Sequence, residues 1–536
     1  MTKLSHCCVK YRLEGEGSNA QHVANFNLSA DKAAAGPHLK VDVRQDGGQL
    51  QASIIAACSL EVLDIRFEFQ RDFAPVSRVL FNGYQSWTDT AEVLPMQTMR
   101  GLVGTPAAAV DRFVLYGGGD YRFVDYENRP GYLHGWTYCY FKESDSYELI
   151  ASLHEQSGFT LLGMDCAESL FFVQPEPPAG MLAPDEAAPV CSLGFYAGSE
   201  LDPLFDKWFD DMGTHALPAP VLCGYSSWYR HYEKINEEKI LRDLYGACRA
   251  FDQLDTEGLA RVFQIDDGFA KVGDWLELSE EKFPSGMERL VSAISGAGFL
   301  PGLWLAPFVC EADSELFFEH PDWLLINTEG GLTPTGSHWS GGFALDTLNP
   351  EVREYVRDVI RTVTCEWGFK LLKLDFLYAA CIIPHGGMNR GQLMADAVDL
   401  LREAAGPDVL LLGCGVPLAS AFGKMEYCRI GCDVGLDWDG KLYERGLHRE
   451  RISTRRSLSN TVYRAQLNGR AFKNDPDVLL LRDDVRLTNE QRNMLIDADA
   501  CFGGMLLTSD AMGDWEYSQL TQYQEALKML RLANNL

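Results

Sequence analysis

The sequence predicts a multidomain protein in which a large N-terminal antiparallel β-sandwich precedes a (β/α)8 TIM barrel. Its 536 residues exceed the length of one ordinary domain. From residue 39 to about residue 201, short apolar or alternating runs are separated by Gly, Asp and Pro, which is typical of antiparallel strands. Farther on, apolar runs alternate with amphipathic helical segments, which indicates parallel βα units. We expect the sandwich over residues 1–212 and the barrel over residues 213–536.

Three segments carry the strand pattern of the sandwich most clearly: LEVLDIRFEF, DRFVLYGGG and YELIASLHE. The stretch GMLAPDEAAP has the composition of a long loop. The segment LDPLFDKWFDDMGTHALPAP predicts a helix that connects the two domains and ends in prolines. We therefore place the domain boundary near Pro218 to Pro220.

Eight short apolar runs are the candidate barrel strands: VLCGYSSW, RVFQIDD, LPGLWLAP, FKLLKLDF, DVLLLGCG, MEYCRIGCD, DVLLL and GGMLLTS. The clearest helices between them are EEKILRDLYGACRAF, MERLVSAISGAG, PEVREYVRDVIRTVTCEWG and RGQLMADAVDLLREAAG. An open doubly wound sheet is disfavoured because no Gly-x-Gly-x-x-Gly follows the first strand. Eight parallel strands close most naturally into a barrel, whose functional site lies at the carboxyl ends of its strands.

The composition excludes several classes of partner. With 47 basic and 76 acidic side chains the net charge is −29, which repels nucleic acids and anionic membrane surfaces. The N-terminus lacks the apolar segment of a signal peptide, and no stretch reaches the ~20 apolar residues of a membrane helix. We expect a cytoplasmic protein. The 15 cysteines show no regular spacing and form no Cys-x-x-Cys, so we expect reduced thiols and no metal site.

Carboxylates at the ends of predicted strands are the candidate functional groups. Asp375 follows KLLKL, Asp433 follows CRIGC, and the pair Asp266 and Asp267 follows VFQI. All four would meet at one face of a barrel. Two carboxylates across a pocket are what glycoside hydrolysis requires, since one attacks the anomeric carbon while the other protonates the leaving oxygen and later deprotonates water.

Lys373 precedes Asp375 by two residues and so lies on the same face of its strand. Its ammonium group could hold a sugar hydroxyl and keep the nucleophile ionised. The alternative is a buried ion pair with another nearby aspartate, because buried lysines are normally paired.

The same segments resemble a known family. FQIDDGF, GLWLAPF followed by DSELFFEHPDWLL, ALDTLNPEVREYV, LLKLDFLY, CRIGCDVGLDW and NDPDVLLLR are similar, in this order, to the barrel motifs of glycoside hydrolase family 36, the clan D α-galactosidases. FNGYQSW resembles a segment of that family's N-terminal β-supersandwich. The resemblance covers roughly residues 80–510.

The resemblance implies a role for each matching residue. Asp375, in a Lys-x-Asp motif, corresponds to the nucleophile, and Asp433, four residues after Arg429, to the acid/base. The matches that imply contacts with the sugar are the pair Asp266 and Asp267 for the axial O4 and for O6, Trp304 as the aromatic floor of the pocket, and Cys414 with Gly415 around the O2 substituent.

The chain also departs from the family pattern on the side of the pocket that faces O2. Ala306-Pro307-Phe308 stands where many members have Glu-Pro-Glu after the tryptophan, and GVPLASAFG replaces the glycine-rich run of the fifth strand. An α-N-acetylgalactosaminidase or an α-galactosaminidase therefore stays open. We also expect the family's C-terminal β-domain to be absent or truncated, since the sequence ends shortly after the eighth strand.

The function implied by the resemblance is that of a retaining exo-glycosidase that hydrolyses terminal α-galactosyl residues by double displacement. The expected partner is an α-galactoside oligosaccharide or glycoconjugate, no cofactor is needed, and the family's habit implies a homo-oligomer. A transglycosylase of the raffinose-synthase kind, an α-glucosidase of the related clan family and a non-catalytic carbohydrate-binding protein are the alternatives. Five further residues have bland explanations as core, turn or loop residues and are not assigned to the site: Trp228, Trp339, His385, Asp475 and Asp477.

Overall fold

A computed structural model describes residues 3–28, 33–101, 118–440 and 448–536. Most of the predicted strand DRFVLYGGG lies outside the described residues. Fifteen strands precede the barrel within these ranges: β1 (Lys3–Leu13), β2 (His22–Asn27), β3 (Ala34–Ala35), β4 (Leu39–Asp46), β5 (Gln49–Ala56), β6 (Leu60–Gln70), β7 (Arg78–Phe81), β8 (Glu92–Val93), β9 (Tyr132–Trp136), β10 (Tyr138–Glu143), β11 (Ser146–Ser152), β12 (Thr160–Asp165), β13 (Leu170–Pro175), β14 (Met181–Leu182) and β15 (Ala187–Gly198).

These strands form two antiparallel sheets. One has the order β2-β1-β6-β13-β12-β9, with β14 paired to β6, and the other has the order β3-β4-β5-β15-β11-β10-β7-β8. Successive side chains of a strand point to opposite faces of its sheet. In β6 the buried face carries Val62, Ile65, Phe67 and Phe69, while the charged residues between them face outward. The inward faces of the two sheets share one apolar core. The N-terminal part of the chain is therefore the antiparallel sandwich that its sequence pattern indicates.

A single helix, α1 (Leu201–Met212), follows the sandwich and ends at Gly213, which has the left-handed φ of 62°. Its apolar side packs against both neighbours. Trp208 is fully buried, donates from Nε1 to the carbonyl of Ser152 at 2.8 Å and lies edge-on to Phe422 of the barrel. The first barrel strand begins nine residues after Gly213, at Leu222.

Eight parallel strands form the barrel: β16 (Leu222–Ser226), β17 (Ala260–Ile265), β18 (Leu300–Leu305), β22 (Leu371–Leu374), β23 (Leu410–Gly413), β24 (Tyr427–Arg429), β25 (Lys473–Asp475) and β26 (Met505–Thr508). A small antiparallel sheet is inserted after β18, composed of β19 (Val309–Glu311), β20 (Pro334–Gly336) and β21 (Gly342–Ala344). The barrel order is β25-β24-β23-β22-β18-β17-β16-β26. The remaining seam is bridged by the amide of Gly504, which donates to the carbonyl of Asn474 at 2.8 Å.

The helices are α2 (Trp228–His231), α3 (Glu237–Phe251), α4 (Met287–Gly296), α5 (Glu315–Glu319), α6 (Pro350–Arg361), α7 (Arg390–Ala405), α8 (Thr454–Tyr463), α9 (Asn489–Phe502) and α10 (Tyr517–Ala533). Local signals set their ends: α7 begins with a capping box between Asn389 and Gln392 and is followed by Gly406. The predicted helix over residues 350–368 changes to one π turn, Thr362–Glu366, before Gly368. No helix among the described residues is long and apolar enough to cross a bilayer.

The prediction of the seventh strand is wrong. DVLLL was the candidate, whereas the strand in the barrel is Lys473–Asp475. Pro476 has no N–H for a ladder, and Asp477 has a φ of 84°, so the strand ends before the apolar run begins. Only a single bridge, between Val478 and Leu507, joins the run to β26.

One buried arginine connects the sandwich to the barrel. Arg464 follows α8 directly and is 1% exposed. Its Nε donates to Asn82 Oδ1 at 3.0 Å, and Nη1 donates to the carbonyls of Ser86 at 2.7 Å and Ile430 at 2.8 Å. These acceptors are neutral, and burial lowers the pKa of Arg464 to about 10. The guanidinium thus satisfies buried oxygens of both domains at once.

Arg464→Ala should lower the free energy of unfolding by about 3 kcal/mol or more, because several buried acceptors lose a charged donor. The measurement is urea unfolding followed by tryptophan fluorescence. Arg455→Ala, on the preceding helix, is the matched control, since its half-exposed ion pair with Asp439 contributes under about 1 kcal/mol. Equal losses in the two variants would contradict the assignment of Arg464 as the interdomain connection.

Candidate active site

A cavity of about 850 Å³ opens at the carboxyl ends of the barrel strands. This is where the (β/α)8 architecture places functional groups. Its lining residues are Trp87, Trp228, Tyr232, Glu233, Lys234, Asp266, Asp267, Trp304, Ser337, His338, Trp339, Lys373, Asp375, Phe376, Asp433, Gly435, Leu436, Asp437, Asp439, Gly440, His448, Glu450, Arg451, Ile452 and Ser453. Six of the nine residues predicted from the sequence are among them.

Asp375 lies immediately after β22 and is 7% exposed. Its Oδ2 accepts a hydrogen bond from Trp304 Nε1 at 3.0 Å, and Oδ1 accepts one from the amide of Phe376 at 2.8 Å. Phe376 itself has a φ of 53°, an uncommon conformation for a bulky residue. The bend after β22 therefore turns the carboxylate toward the cavity with both oxygens held by donors.

Asp433 is the most exposed of the predicted carboxylates, with 34% of its side chain accessible. It follows β24, and its Oδ1 accepts from Arg429 Nη1 at 2.9 Å. Arg429 is buried and does not line the cavity. The same guanidinium donates through Nε to Asp475 at 3.1 Å and through Nη2 to Asp477 at 2.8 Å. The guanidinium of Arg429 thus binds three carboxylates.

Lys373 is paired with Asp266. Its Nζ lies 2.9 Å from Asp266 Oδ2, an oxygen that also accepts from Gln264 Nε2 at 2.8 Å. Burial alone would lower the pKa of the ammonium group, but the adjacent Asp266 outweighs burial and raises it. The ion-pair interpretation of Lys373 is therefore the one the contacts favour, and the pair as a whole faces the cavity.

Asp267 is buried beside Asp266 and has a different partner. Its Oδ2 accepts a hydrogen bond from Trp339 Nε1 at 2.8 Å. Burial raises the pKa of Asp267 to about 7, with the charges of Asp266 and Glu233 acting in the same direction and Trp339 opposing them. Asp267 therefore changes its charge near neutral pH, unlike an ordinary aspartate.

Cys414 and Gly415 lie behind the wall of the cavity rather than in its lining. Trp87, which comes from the sandwich, donates from Nε1 to Cys414 Sγ at 3.3 Å. A Cβ added to Gly415 would lie 3.0 Å from the indole ring, and Gly415 has a φ of 55°. Glycine is thus required where the sandwich approaches the fifth barrel strand, and Trp87 covers both predicted residues.

Sequence reasoning misses several residues of the site, some in the lining of the cavity and some behind it. Trp339 was set aside as a core residue, although it reaches Asp267 from the turn between β20 and β21. Trp87 lay inside FNGYQSW, but nothing in its local pattern showed that it reaches the barrel. Asp475 and Asp477 were set aside as turn residues, yet both bind Arg429. His448, Glu450 and Arg451 lie between α8 and the gap in the described residues, where no strand-end rule applies.

The cavity is strongly acidic. Eight of its lining residues carry carboxylates and three carry cations, histidines apart. Two of the cations are neutralised locally, because Lys373 pairs with Asp266 and Arg451 donates to Asp439 at 2.6 Å. Such a pocket favours neutral or cationic ligands and repels anionic ones.

A barrel that gathers paired carboxylates and an aromatic ring in one cavity is an arrangement that glycoside hydrolases use. The family model described as Melibiase matches residues 256–390, which include Asp266, Asp267, Trp304, Lys373 and Asp375. An α-galactosidase of Escherichia coli is 29% identical over 181 residues, which are 31% of this chain and 24% of that protein. The A type blood α-D-galactosamine galactosaminidase of Flavonifractor plautii is also 29% identical, over 31% of this chain and 17% of its own length.

Solved structures extend the likeness to the whole fold. The α-galactosidase TtGalA of Thermus thermophilus, in complex with p-nitrophenyl α-D-galactopyranoside, has a TM-score of 0.71 at 26% identity, over 91% of this chain and 92% of its own. The GH36 α-galactosidase AgaA of Geobacillus stearothermophilus shares the fold at 13% identity, with a TM-score of 0.61 over 100% of this chain and 74% of its own. This chain is thus similar to the family 36 α-galactosidases, and it spans about a quarter or less of the length of the curated relatives it matches.

Asp267→Asn should stabilise the protein, and more so at alkaline pH. The folded-state pKa of Asp267, about 7, lies above that of an unfolded aspartate, so the wild type loses stability as pH rises from about 4 to 7. The asparagine side chain does not titrate and avoids this loss. Above pH 7 the free energy of unfolding of the variant should therefore exceed that of the wild type by roughly 2–4 kcal/mol. The measurement is thermal unfolding at pH 5 and pH 8, with the exposed Asp408→Asn as control. An advantage that is equal at both pH values would contradict the burial argument.

Proposed function

We propose that this protein is a retaining exo-α-galactosidase that uses Asp375 as nucleophile and Asp433 as general acid/base. The observation that carries the proposal is the meeting of both carboxylates in one cavity with Asp266, Lys373 and Trp304. These residues lie in or shortly after four barrel strands, β17, β18, β22 and β24. The activities named for the relatives in Escherichia coli and Thermus thermophilus support the same choice.

The surroundings of the two carboxylates suit different roles. Asp375 is buried and accepts hydrogen bonds on both oxygens, so it is held in place as an ionised nucleophile must be. Asp433 is a third exposed and has one ionic partner, so it can exchange protons with the leaving group and with water. A fixed nucleophile and an accessible proton donor are what double displacement requires.

The proposed reaction has two balanced steps. In the first, Asp375 attacks the anomeric carbon, the glycosidic bond breaks, and the proton of Asp433 passes to the leaving oxygen. In the second, Asp433 takes a proton from water, whose oxygen attacks the anomeric carbon and displaces Asp375. The two inversions release galactose in the α configuration. The Asp266–Lys373 pair and Asp267 offer acceptors and a donor for the sugar hydroxyls, over the face of Trp304.

Trp87 supports a preference for galactose over N-acetylgalactosamine. The resemblance assigns the O2 side to Cys414 and Gly415, and the indole of Trp87 covers both of them. A hydroxyl needs little space there, whereas an acetamido group would have to displace the indole. The substrate we propose is accordingly a terminal α-galactoside with an unmodified hydroxyl at C2.

The two aspartates can be told apart by azide rescue of their alanine variants with p-nitrophenyl α-galactoside. Asp375→Ala and Asp433→Ala should each lose activity, Asp375→Ala by about 10⁴-fold or more. Azide replacing the nucleophile gives β-galactosyl azide in Asp375→Ala, whereas azide attacking the covalent intermediate gives the α anomer in Asp433→Ala. NMR of the products identifies each anomer.

Three results would count against this assignment. They are the release of β-galactose by the wild type, an exchange of the two azide products between the variants, and retained activity in Asp375→Ala. If the wild type hydrolyses neither aryl galactosides nor oligosaccharides, the proposal that this protein is an α-galactosidase is itself wrong.

Trp87→Ala should weaken discrimination at C2. We expect the wild type to prefer p-nitrophenyl α-galactoside to the α-N-acetylgalactosaminide by about 100-fold or more in kcat/KM, and this ratio to fall at least tenfold in the variant. Trp228→Ala, at another wall of the same cavity, is the matched control and should leave the ratio unchanged. A wild type that prefers the N-acetyl substrate would overturn the steric argument.

A further inference from the structure

Asp477 contacts both the ionic partner and the backbone of the Asp433 segment. Its Oδ1 accepts from Arg429 Nη2 at 2.8 Å, and Oδ2 accepts from the amide of Val434 at 2.9 Å and from the hydroxyl of Tyr229. Its side chain is 1% exposed. Its own amide donates to Asp475 Oδ1 at 2.9 Å. Asp477 therefore lies behind Asp433, outside the lining of the cavity, and both of its carboxylate oxygens accept hydrogen bonds.

The groups around Asp477 form one electrostatic cluster. The titratable and charged residues that face it are Arg429 and Asp433 from the β24 segment, Asp475 from β25, Asp499 from α9 and Tyr229 from α2. Burial raises the pKa of Asp477 to about 7; Arg429 opposes this, while Asp433 and Asp475 act in the same direction. One guanidinium thus serves a cluster that contains more carboxylates than it can neutralise.

We infer that Asp477 is a positioning residue for Asp433, acting through Arg429 to orient the general acid and to limit the pull of the guanidinium on its proton. The inference rests on the proposed role of Asp433 as acid/base. It assigns a function to a residue that touches neither substrate nor cavity.

Arg429 divides its charge among three carboxylates. An arginine bound to Asp433 alone would favour the carboxylate and so promote early loss of the catalytic proton. Asp475 and Asp477 draw on the same guanidinium, and the negative charge of Asp477 repels a charge on Asp433. Both effects oppose the pull of Arg429 on the catalytic proton. Arg429 meanwhile binds the carboxyl group of Asp433 itself, and the bond from the Val434 amide to Asp477 holds the backbone that follows Asp433.

The test is the pH dependence of kcat/KM in Asp477→Asn. With raffinose, whose leaving group needs protonation, the alkaline limb should move toward acid by roughly one pH unit. With p-nitrophenyl α-galactoside, whose leaving group needs little protonation, the shift should be much smaller. A change in folding alone would alter the amount of active enzyme but would not move the limb for one substrate and spare the other.

Two further variants keep the test decisive. Asp243→Asn is the matched control, because Asp243 is also buried, accepts from Tyr225 at 2.6 Å and contacts His231. The alkaline limb of this variant should stay where the wild type has it. Tyr229→Phe removes a donor that stabilises the charged form of Asp477. It should move the limb in the same direction as Asp477→Asn, by less, and it serves if Asp477→Asn does not fold.

The outcomes separate the two proposals. If the wild type hydrolyses raffinose and Asp433→Ala abolishes this, the acid/base role stands. An unmoved limb in folded Asp477→Asn, or in Tyr229→Phe where Asp477→Asn fails to fold, then overturns the role of Asp477 alone. An equal shift in Asp243→Asn overturns it as well. Full raffinose hydrolysis by Asp433→Ala would instead refute the proposed function.

Discussion

The docking of the sandwich loop at residues 82–90 onto the barrel is the interaction on which the shape of the cavity depends. Buried carbonyls of this loop need donors, and they find them in Arg464 and in Asn460, whose Nδ2 donates to Thr88 at 3.2 Å. In the same loop, the amide of Thr90 donates a hydrogen bond to Asn460 Oδ1 at 2.8 Å. Trp87 is fixed by these contacts, so the sandwich forms one wall of a pocket whose chemistry resides in the barrel.

The electrostatics of the site work against the stability of the fold. Buried carboxylates cost free energy unless they are paired, and the cavity has more of them than cations. Burial raises the pKa of both Asp267 and Asp477, which is the direction this cost predicts. The continuous apolar cores of sandwich and barrel offset it. Strain at Phe376 and Trp339, both with positive φ, lies at the same cavity, as expected where function outweighs local stability.

Much of the site was predictable because parallel strands bring their carboxyl ends to one face. Asp266, Asp375 and Asp433 follow from that rule once the strands are identified, and Lys373 follows from alternation along β22. The pairing of Lys373 with Asp266 could not be predicted in this way, since periodicity indicates which face a residue occupies but not which neighbour it contacts. Trp87 was beyond such reasoning for a related reason: it meets Cys414 across 327 positions of sequence, and no local pattern encodes a contact of that range.

The error in the seventh strand has a functional reason. An apolar run such as DVLLL looks like a strand by composition, yet the ladder ends at Asp475 because Pro476 and the positive φ of Asp477 interrupt it. A regular strand would hold residues two apart about 7 Å from one another along its axis. The interruption instead lets both carboxylates reach nitrogens of the same Arg429. The break in the pattern therefore builds the charge cluster behind Asp433, and a rule based on regular strands fails where the chemistry needs an irregular one.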